Sequence, residues 1–438
     1  MCIYRKYLRC SRIPVVARTT LKLPGAGMLP LLLVLALPAT ASRADLDLDE
    51  TLRLALADDP VIAARRARAQ AFSDNAVADG QLPDPKLKTG LYNLPLDDFE
   101  LDEEPTTQLR LGIVQSFPRG RTRHYRREQT EWLATSEQAS AESAGLLLVR
   151  DVRNRFLELY YQLEAESIVT DARELFAQLV DITRSHYASG RVRQQDVLRA
   201  SLELSRLDDR TTRIRNEADR NRAALMKWIG DAALLPVNRG FPQLPPLPAK
   251  PDLESALPEH PLIRLETAKL EAENRAVQIA REQYKPGWSA GLEYRKRFGD
   301  DPDGSDRADM MAAMVSLDLP LFPKNRQDRR LSASLQQAEA IHLARDDRLR
   351  ELRRMLETDY ANWQRLGERV ELYESQLQAE AAANAQASLK AYQSGVTEFT
   401  SLMRARITDL DVLLEALRIR VDRARAQANL LYLAGDMP

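Results

Sequence analysis

The side chains best suited to metal binding or nucleophilic chemistry are few and widely separated in this sequence. The 438 residues include two cysteines and four histidines, namely His124, His186, His260 and His342. No histidine has a second His or Cys at metal-ligand spacing. The Gly-x-Ser-x-Gly and phosphate-loop patterns are absent. Carboxylates are abundant, but on helix-forming stretches they indicate solvated faces and i,i+4 ion pairs. The sequence therefore predicts a protein that is not an enzyme and uses no metal or other cofactor.

The charge balance argues against a nucleic-acid partner. Residues 1–44 contain seven basic residues and no acidic ones. Without this segment, 56 basic residues remain against 64 acidic ones, a net charge of −8. Because a mildly acidic protein is repelled by a phosphate backbone, we expect no nucleic acid among its partners.

Residues 1–44 have the pattern of a cleavable signal peptide. Basic residues precede the apolar run MLPLLLVLAL at 28–37, and the small residues of PATASRA follow it at cleavage spacing. The apolar run is too short to span a bilayer as a helix, and a short uncleaved anchor is the alternative. Cys2 and Cys10 precede the run, so the exported chain would contain no cysteine.

The remaining chain is an internal duplication. One set of residues recurs 201 positions later, and a second set recurs 205 positions later. The first set pairs Leu52, Ala55, Leu56, Pro60 and Ile62 with Leu253, Ala256, Leu257, Pro261 and Ile263. The second set pairs Phe117-Pro118 with Phe322-Pro323 and Gly230-Asp231 with Gly435-Asp436. Constant offsets along the whole chain predict two copies of one structural unit.

The two copies are predicted to occupy 45–235 and 259–438. Between them, 236–258 contains seven prolines and is predicted to be an extended connector rather than a helix. Each copy is predicted to consist of a helix, a β-hairpin and a long helical hairpin.

Two proline-free stretches, 119–231 and 324–435, are predicted to form the long helical hairpins. Both are rich in strong helix formers, and Gly190 and Gly395 divide them into antiparallel arms. In the first stretch, apolar residues recur at the three- and four-residue steps of a coiled coil. They are Val149, Val152, Phe156, Leu159 and Leu163. The first arm would be roughly 100 Å long, which is too long for a compact globule and is typical of a coiled coil or assembled α-barrel.

Segments in which apolar and polar residues alternate predict β-hairpins at 86–117 and 288–320. Strands of about ten residues with alternating character are typical of membrane β-hairpins with an apolar outside and a polar lumen. The residues predicted to face the lumen are Lys88, Arg110, Glu293, Arg295 and Asp318. A soluble four-stranded sheet packed on the helices is the alternative.

Four strands are too few to close a barrel around a pore. Because open sheet edges are not tolerated in lipid, the strands of several subunits would have to share one barrel. A heterologous ring of identical subunits is the natural closure.

At this point the chain resembles the TolC-like outer-membrane factor family, which forms the exit ducts of tripartite efflux pumps. The resemblance covers essentially the whole chain after residue 44. Its motifs are Tyr187-x-x-Gly190, Tyr392-x-x-Gly395, Asp196-Val197-Leu198, Phe117-Pro118 and Phe322-Pro323. Two further motifs, Leu82-Pro83-Asp84-Pro85 and Asn93-Leu94-Pro95-Leu96, resemble the heavy-metal (cobalt–zinc–cadmium, Czc-type) branch.

The resemblance implies a mainly α fold with a small β part, assembled as an outer-membrane homotrimer. Each subunit would give four strands to one shared β-barrel and its duplicated hairpins to a periplasmic α-barrel. The hairpin tips would meet a periplasmic membrane-fusion adaptor and, through it, an inner-membrane proton-driven (RND-type) pump. The residues implied at the tips are Tyr187, Gly190, Asp196, Val197, Leu198, Tyr392 and Gly395. The glycines are equally explained by a sharp turn that requires a positive φ.

The sequence departs from family members that carry an acidic ring at the tip. Such members place carboxylates six and nine residues after the second-tip glycine, where this chain has Ser401 and Arg404. Asp196 holds the equivalent position at the first tip, but it could simply cap a helix or form a salt bridge there.

The resemblance thus implies a passive, tip-gated duct that exports divalent heavy-metal cations. A drug-efflux or type I secretion duct of the same family remains open. A soluble periplasmic coiled-coil adaptor or scaffold is a further alternative, although the duplication argues against it.

Overall fold

The computed structural model describes residues 45–437, so the predicted signal peptide lies outside the described residues. Within this range the chain is mainly helical with one small antiparallel sheet, as predicted. The first copy contains α1 (Leu48–Ala57), α2 (Pro60–Asp79), β1 (Lys86–Tyr92), β2 (Gln108–Phe117), α3 (Thr122–Ala188) and α4 (Gln194–Ile229). The second copy contains α5 (Lys250–Ala256), α6 (Pro261–Glu282), β3 (Gly287–Arg297), β4 (Met310–Asp318), α7 (Gln327–Leu372), α8 (Gln378–Gln393) and α9 (Phe399–Ala434).

Each copy begins with two short helices, whereas the sequence predicted one. The break comes before a proline in both copies, because the residue before proline is pushed out of helical geometry. In the first copy, Asp59 precedes Pro60 and its side chain accepts hydrogen bonds from the N–H groups of the next turn, at 3.0 and 2.9 Å. In the second copy, His260 precedes Pro261 and its Nδ1 accepts from the N–H of Leu262 at 3.2 Å. Both residues therefore cap the second short helix.

The prediction of an extended connector over 236–258 is wrong for its last part, where α5 forms. A proline in the first turn of a helix costs no intrahelical hydrogen bond, so Pro251 does not prevent this helix. Leu253 is buried at its centre, 1% exposed. Leu52, its equivalent 201 positions earlier, is buried in α1. The duplicated core requires the helix in both copies.

The long helical hairpins extend over the lengths predicted from the sequence. The 67-residue α3 packs against α2, α4, α6 and α9, and it joins both copies. The predicted seam residues Val149, Val152, Phe156 and Leu159 are all buried. In the second copy a π-helical turn at Tyr373–Leu377 separates α7 from α8. No helix within residues 45–437 combines the length and the apolarity needed to cross a membrane.

The four strands form one antiparallel sheet in the order β1-β2-β3-β4. The central pair, β2 with β3, joins the two copies, with Gln108 opposite Arg297 and Phe117 opposite Trp288. Among the described residues, β1 and β4 each pair with one strand, so each leaves one edge unpaired.

Candidate functional site

The register of the sheet places the charged residues predicted from the alternation on one common face. Directly opposed residues of an antiparallel pair project to the same side. Arg110 lies opposite Arg295, and Glu293 lies opposite Gly112, which in turn lies opposite Lys88. Asp318 lies opposite Gly287 in the same alternation. All five predicted residues therefore share one face, the polar face.

Glu293 is the centre of a small ionic cluster on the polar face. It is 8% exposed, and its Oε1 lies 2.6 Å from Nε of Arg295 and 3.9 Å from Nε of Arg110. The guanidinium of Arg110 also stacks on the ring of Tyr92, 3.9 Å from its centroid. The sequence did not reveal this stacking. The polar face is less regular on β4, where Met310 and Met314 also project from it.

The opposite face, the apolar face, is almost uniformly hydrophobic and exposed to solvent in the single chain. Its large side chains are Leu87, Leu91, Leu109, Leu111, Ile113, Trp288, Leu292, Tyr294, Met311, Val315 and Leu317. Leu87 and Met311 are each 70% exposed. An apolar patch of this extent marks a surface that meets lipid or another protein.

The two helical hairpins end in the same turn. Gly190 has φ +72° and Gly395 has φ +75°, a region that L side chains rarely adopt. The N–H of each glycine donates to a tyrosine carbonyl three residues earlier, Gly190 to Tyr187 at 2.9 Å and Gly395 to Tyr392 at 3.0 Å. The repeated Tyr-x-x-Gly spacing is therefore a helix-ending turn in both copies.

The two tip tyrosines have different surroundings, although they hold equivalent positions. Tyr187 is 49% exposed, whereas Tyr392 is 8% exposed. Tyr392 packs edge-on against Phe399, with ring centroids 5.6 Å apart. Its hydroxyl lies 3.5 Å from Nδ1 of His186, which belongs to the other hairpin. The contact of Tyr392 with His186 thus brings the two tips together, whereas Phe399 packs on Tyr392 within the second hairpin. The sequence analysis singled out neither of these roles.

The remaining predicted tip residues lie at the start of α4. The carboxylate of Asp196 accepts a hydrogen bond from the N–H of Arg193 at 3.3 Å, which is the capping role considered as an alternative. Val197 is partly buried. Leu198 is 61% exposed and is the apolar side chain of this motif that a partner could cover.

The histidines lie far apart: His124 and His186 are at opposite ends of α3, His260 caps α6 and His342 is in α7. His124 pairs with Glu128 at 3.1 Å and His342 lies 3.8 Å from Asp346, each within one helix. Among the described residues, one group of carboxylates is close enough together to be considered as a metal site. It consists of Asp97, Asp98 and Glu103, whose carboxylate oxygens lie within 4.8 Å of one another. They are exposed on the loop after β1, and a hydrogen bond with Asp98 raises the pKa of Glu103 to about 7. Exposed acidic groups of this kind are common without a bound ion.

The sequence of the chain matches the model of a known protein family along both copies of the duplication. The family described as outer membrane efflux protein matches residues 51–231 and 253–436. The chain belongs to the outer membrane efflux protein family. The two matched segments lie one in each copy of the duplication. This is a family of channels rather than of enzymes. No curated protein matches the chain.

Solved structures of outer-membrane channels share the fold of this efflux protein. The outer-membrane channel OprN is 18% identical with a TM-score of 0.75, over 89% of this chain and 89% of that chain. VceC from Vibrio cholerae is 17% identical with a TM-score of 0.75, over 89% and 96%. CusC is 15% identical with a TM-score of 0.77, over 90% and 93%. At these identities the likeness concerns the fold.

Proposed function

We propose that this efflux protein is the outer-membrane exit duct of a tripartite efflux system, working as a passive homotrimeric channel gated at the helical tips. The observation that carries the proposal is the two-faced sheet with two unpaired edges. A single chain leaves the apolar face in water and both edges without hydrogen bonds. Lipid would cover the apolar face, and strands of neighbouring subunits would pair with the edges of β1 and β4.

Three of the four strands have a length that suits an outer membrane. A membrane-spanning β-strand needs about 9–11 tilted residues, and β2, β3 and β4 have 10, 11 and 9. At the end of the sheet next to the helices, Phe117 stacks on Trp288 with ring centroids 3.9 Å apart. Aromatic residues at the edges of an apolar band are typical of membrane barrels.

The long hairpins would extend from this barrel into the periplasm and form an α-barrel with those of the other subunits. Their tips would then meet a periplasmic membrane-fusion adaptor, coupled to an inner-membrane RND-type pump. The exposed side chains Tyr187 and Leu198, together with Val396 beside Gly395, offer the adaptor an apolar surface at the tips.

Membrane insertion tests the two-faced sheet directly. Adjacent residues of β4 provide matched variants, because Val315 projects from the apolar face near the middle of the strand and Ser316 projects from the polar face. A charge on a lipid-facing position costs about 2–4 kcal/mol at mid-membrane. We expect Val315→Lys to reduce insertion into the outer membrane strongly and Ser316→Lys to have little effect. Equal insertion of both variants would contradict the lipid-facing assignment.

The duct itself is tested by the mass of the purified oligomer and its conductance in a planar bilayer. We expect a trimer with steady aqueous conductance. A monomer that stays in solution without detergent would favour the adaptor or scaffold function instead. A trimer that inserts but does not conduct would indicate that the tip gate is closed in the isolated protein.

For the cargo we propose divalent heavy-metal cations, supported by the two short motifs that resemble the Czc-type branch. Asn93 in the second motif adopts φ +55°, and its carbonyl accepts from Thr107 at 2.7 Å, so this motif forms the turn after β1. A strain lacking the protein should become sensitive to zinc, cobalt or cadmium. Sensitivity to drugs alone, or loss of a secreted protein, would favour the corresponding alternative duct.

A further inference from the structure

The polar face of the sheet carries more positive than negative charge. Five basic and two acidic side chains project from it, a surplus of three positive charges per chain. The basic residues are Lys86, Lys88, Arg110, Arg295 and Arg297, and the acidic residues are Glu293 and Asp318.

The acidic residues do not neutralise this surface. The carboxylate of Glu293 is shared between Arg295 and Arg110, at 2.6 and 3.9 Å, so this cluster keeps a net positive charge. Lys86 and Lys88 are exposed and form no ion pair within residues 45–437. The guanidinium of Arg297 donates to the carbonyl of Pro105 at 3.3 Å, a neutral acceptor.

We propose that the strand-lined part of the duct is selective for anions. The proposal rests on the proposed function, since it requires the polar face to surround the lumen. Three chains would then place rings of lysine and arginine around one water-filled passage. Rings of Arg and Lys side chains give pores anion selectivity, as rings of Asp and Glu give cation selectivity.

The position of these charges strengthens their effect on small ions. A passage with low-dielectric walls focuses the field of the charges that line it. The outer loops are acidic, with Asp97, Asp98 and Glu103 as examples, but these side chains are exposed to bulk water. At physiological ionic strength the screening length is about 8 Å, so the loops act weakly on ions inside the passage. Selectivity should therefore grow as the salt concentration falls.

This field refines the proposed cargo. A bare divalent cation is disfavoured beside uncompensated lysines, so the heavy-metal ions would pass as complexes whose charge is offset by anionic ligands.

The test is the reversal potential of the purified trimer in a planar bilayer under a KCl gradient. For the wild-type protein we expect a chloride-to-potassium permeability ratio above 1 that increases at lower salt. The double variant Lys86→Gln with Lys88→Gln should bring the ratio closer to 1. The matched control is Lys296→Gln, because Lys296 projects from the apolar face and lies 3.4 Å from Asp309. This variant should keep the wild-type ratio.

The possible failures are distinguishable. Steady conductance with a preference for potassium would overturn the selectivity and leave the duct intact. A wild-type ratio that the Lys86 and Lys88 substitutions do not change would also overturn it. Absence of conductance in the wild-type trimer and also in the tip variant Gly190→Pro would contradict the duct, and the selectivity together with it.

Discussion

The guanidinium of Arg153 donates to Oδ2 of Asp436 at 2.8 Å, across 283 positions of sequence. The Arg153 side chain is 2% exposed within α3, and Asp436 follows the end of α9. Nε and Nη1 of Arg153 have no hydrogen-bond partner among the described residues. Asp436 thus supplies the negative charge for a buried cation, and the pair ties the first copy to the end of the second.

Removal of this carboxylate should destabilise the protein. Asp436→Ala leaves the Arg153 charge buried without compensation, which should cost about 2 kcal/mol or more. The chain contains its own control, because Asp231 holds the equivalent position after Gly230 in the first copy. Asp231 is exposed and forms no ion pair within residues 45–437, so Asp231→Ala should change stability by less than about 0.5 kcal/mol. Thermal unfolding in detergent, monitored by circular dichroism, would distinguish the two variants. Similar losses of stability in Asp436→Ala and Asp231→Ala would refute the assigned role of the buried pair.

A proline at a hairpin tip should abolish export without preventing membrane insertion. Proline fixes φ near −65° and has no N–H, whereas Gly190 and Gly395 have positive φ and donate to tyrosine carbonyls. Gly190→Pro or Gly395→Pro should therefore distort the tip alone. Cargo resistance in cells and the amount of protein in the outer membrane are the two measurements.

Gly304 offers a matched control for the tip variants. It has φ +78°, its N–H donates to the carbonyl of Asp301 at 2.9 Å, and it lies in the loop between β3 and β4. Gly304→Pro imposes the same local strain away from the tips and should keep export. Normal export by the tip variants would remove the case for a functional tip.

The two tip tyrosines should respond differently to truncation. Tyr392→Ala removes a buried ring that contacts Phe399, and it should cost about 3 kcal/mol of stability, as large-to-small core substitutions do. Tyr187→Ala removes an exposed ring and should leave stability nearly unchanged while weakening adaptor binding. Thermal unfolding together with an adaptor pull-down checks both expectations. Equal stability losses would mean that Tyr187 is also structural in the assembled protein.

The duplication made most of the fold predictable because equivalent positions bury equivalent side chains. Leu52 and Leu253 are both core residues, and each copy repeats its strands and long helices at nearly constant offsets. The alternation of polar and apolar residues in the sequence predicted the composition of the two sheet faces, because successive side chains of a strand point to opposite faces.

Features that break the duplication could not be predicted in this way. Arg153 has Thr358 at the equivalent position, so no repeated motif signalled its ion pair with Asp436. Tyr187 and Tyr392 share a motif but not an environment, because burial depends on contacts between the two hairpins. The helix α5 was hidden by prolines, which exclude a helix only beyond its first turn.

Lowering the pH should destabilise the packing around His260. This side chain is 2% exposed, and its Nε2 lies 3.2 Å from the carbonyl oxygen of Tyr432. Since Nδ1 accepts from the N–H of Leu262, the neutral ring carries its proton on Nε2 and donates it to Tyr432. Burial lowers the pKa of His260 below its usual value. A second proton would also remove the Nδ1 acceptor that caps α6.

The sign of the effect follows from the lowered pKa. Above about pH 6.5, the usual histidine pKa, the ring is neutral in both the folded and the unfolded chain and stability does not change. Below that pH the unfolded chain binds a proton that the folded chain resists, so the free energy of unfolding falls.

His260→Asn keeps a capping oxygen, as Asp59 does in the first copy, but cannot titrate. Between pH 7 and pH 5.5 its unfolding temperature should therefore fall less than that of the wild-type protein. His342→Asn, which changes a histidine whose side chain is 44% exposed, should follow the wild-type protein. Parallel pH profiles for the wild-type protein and His260→Asn would show that His260 does not control this loss.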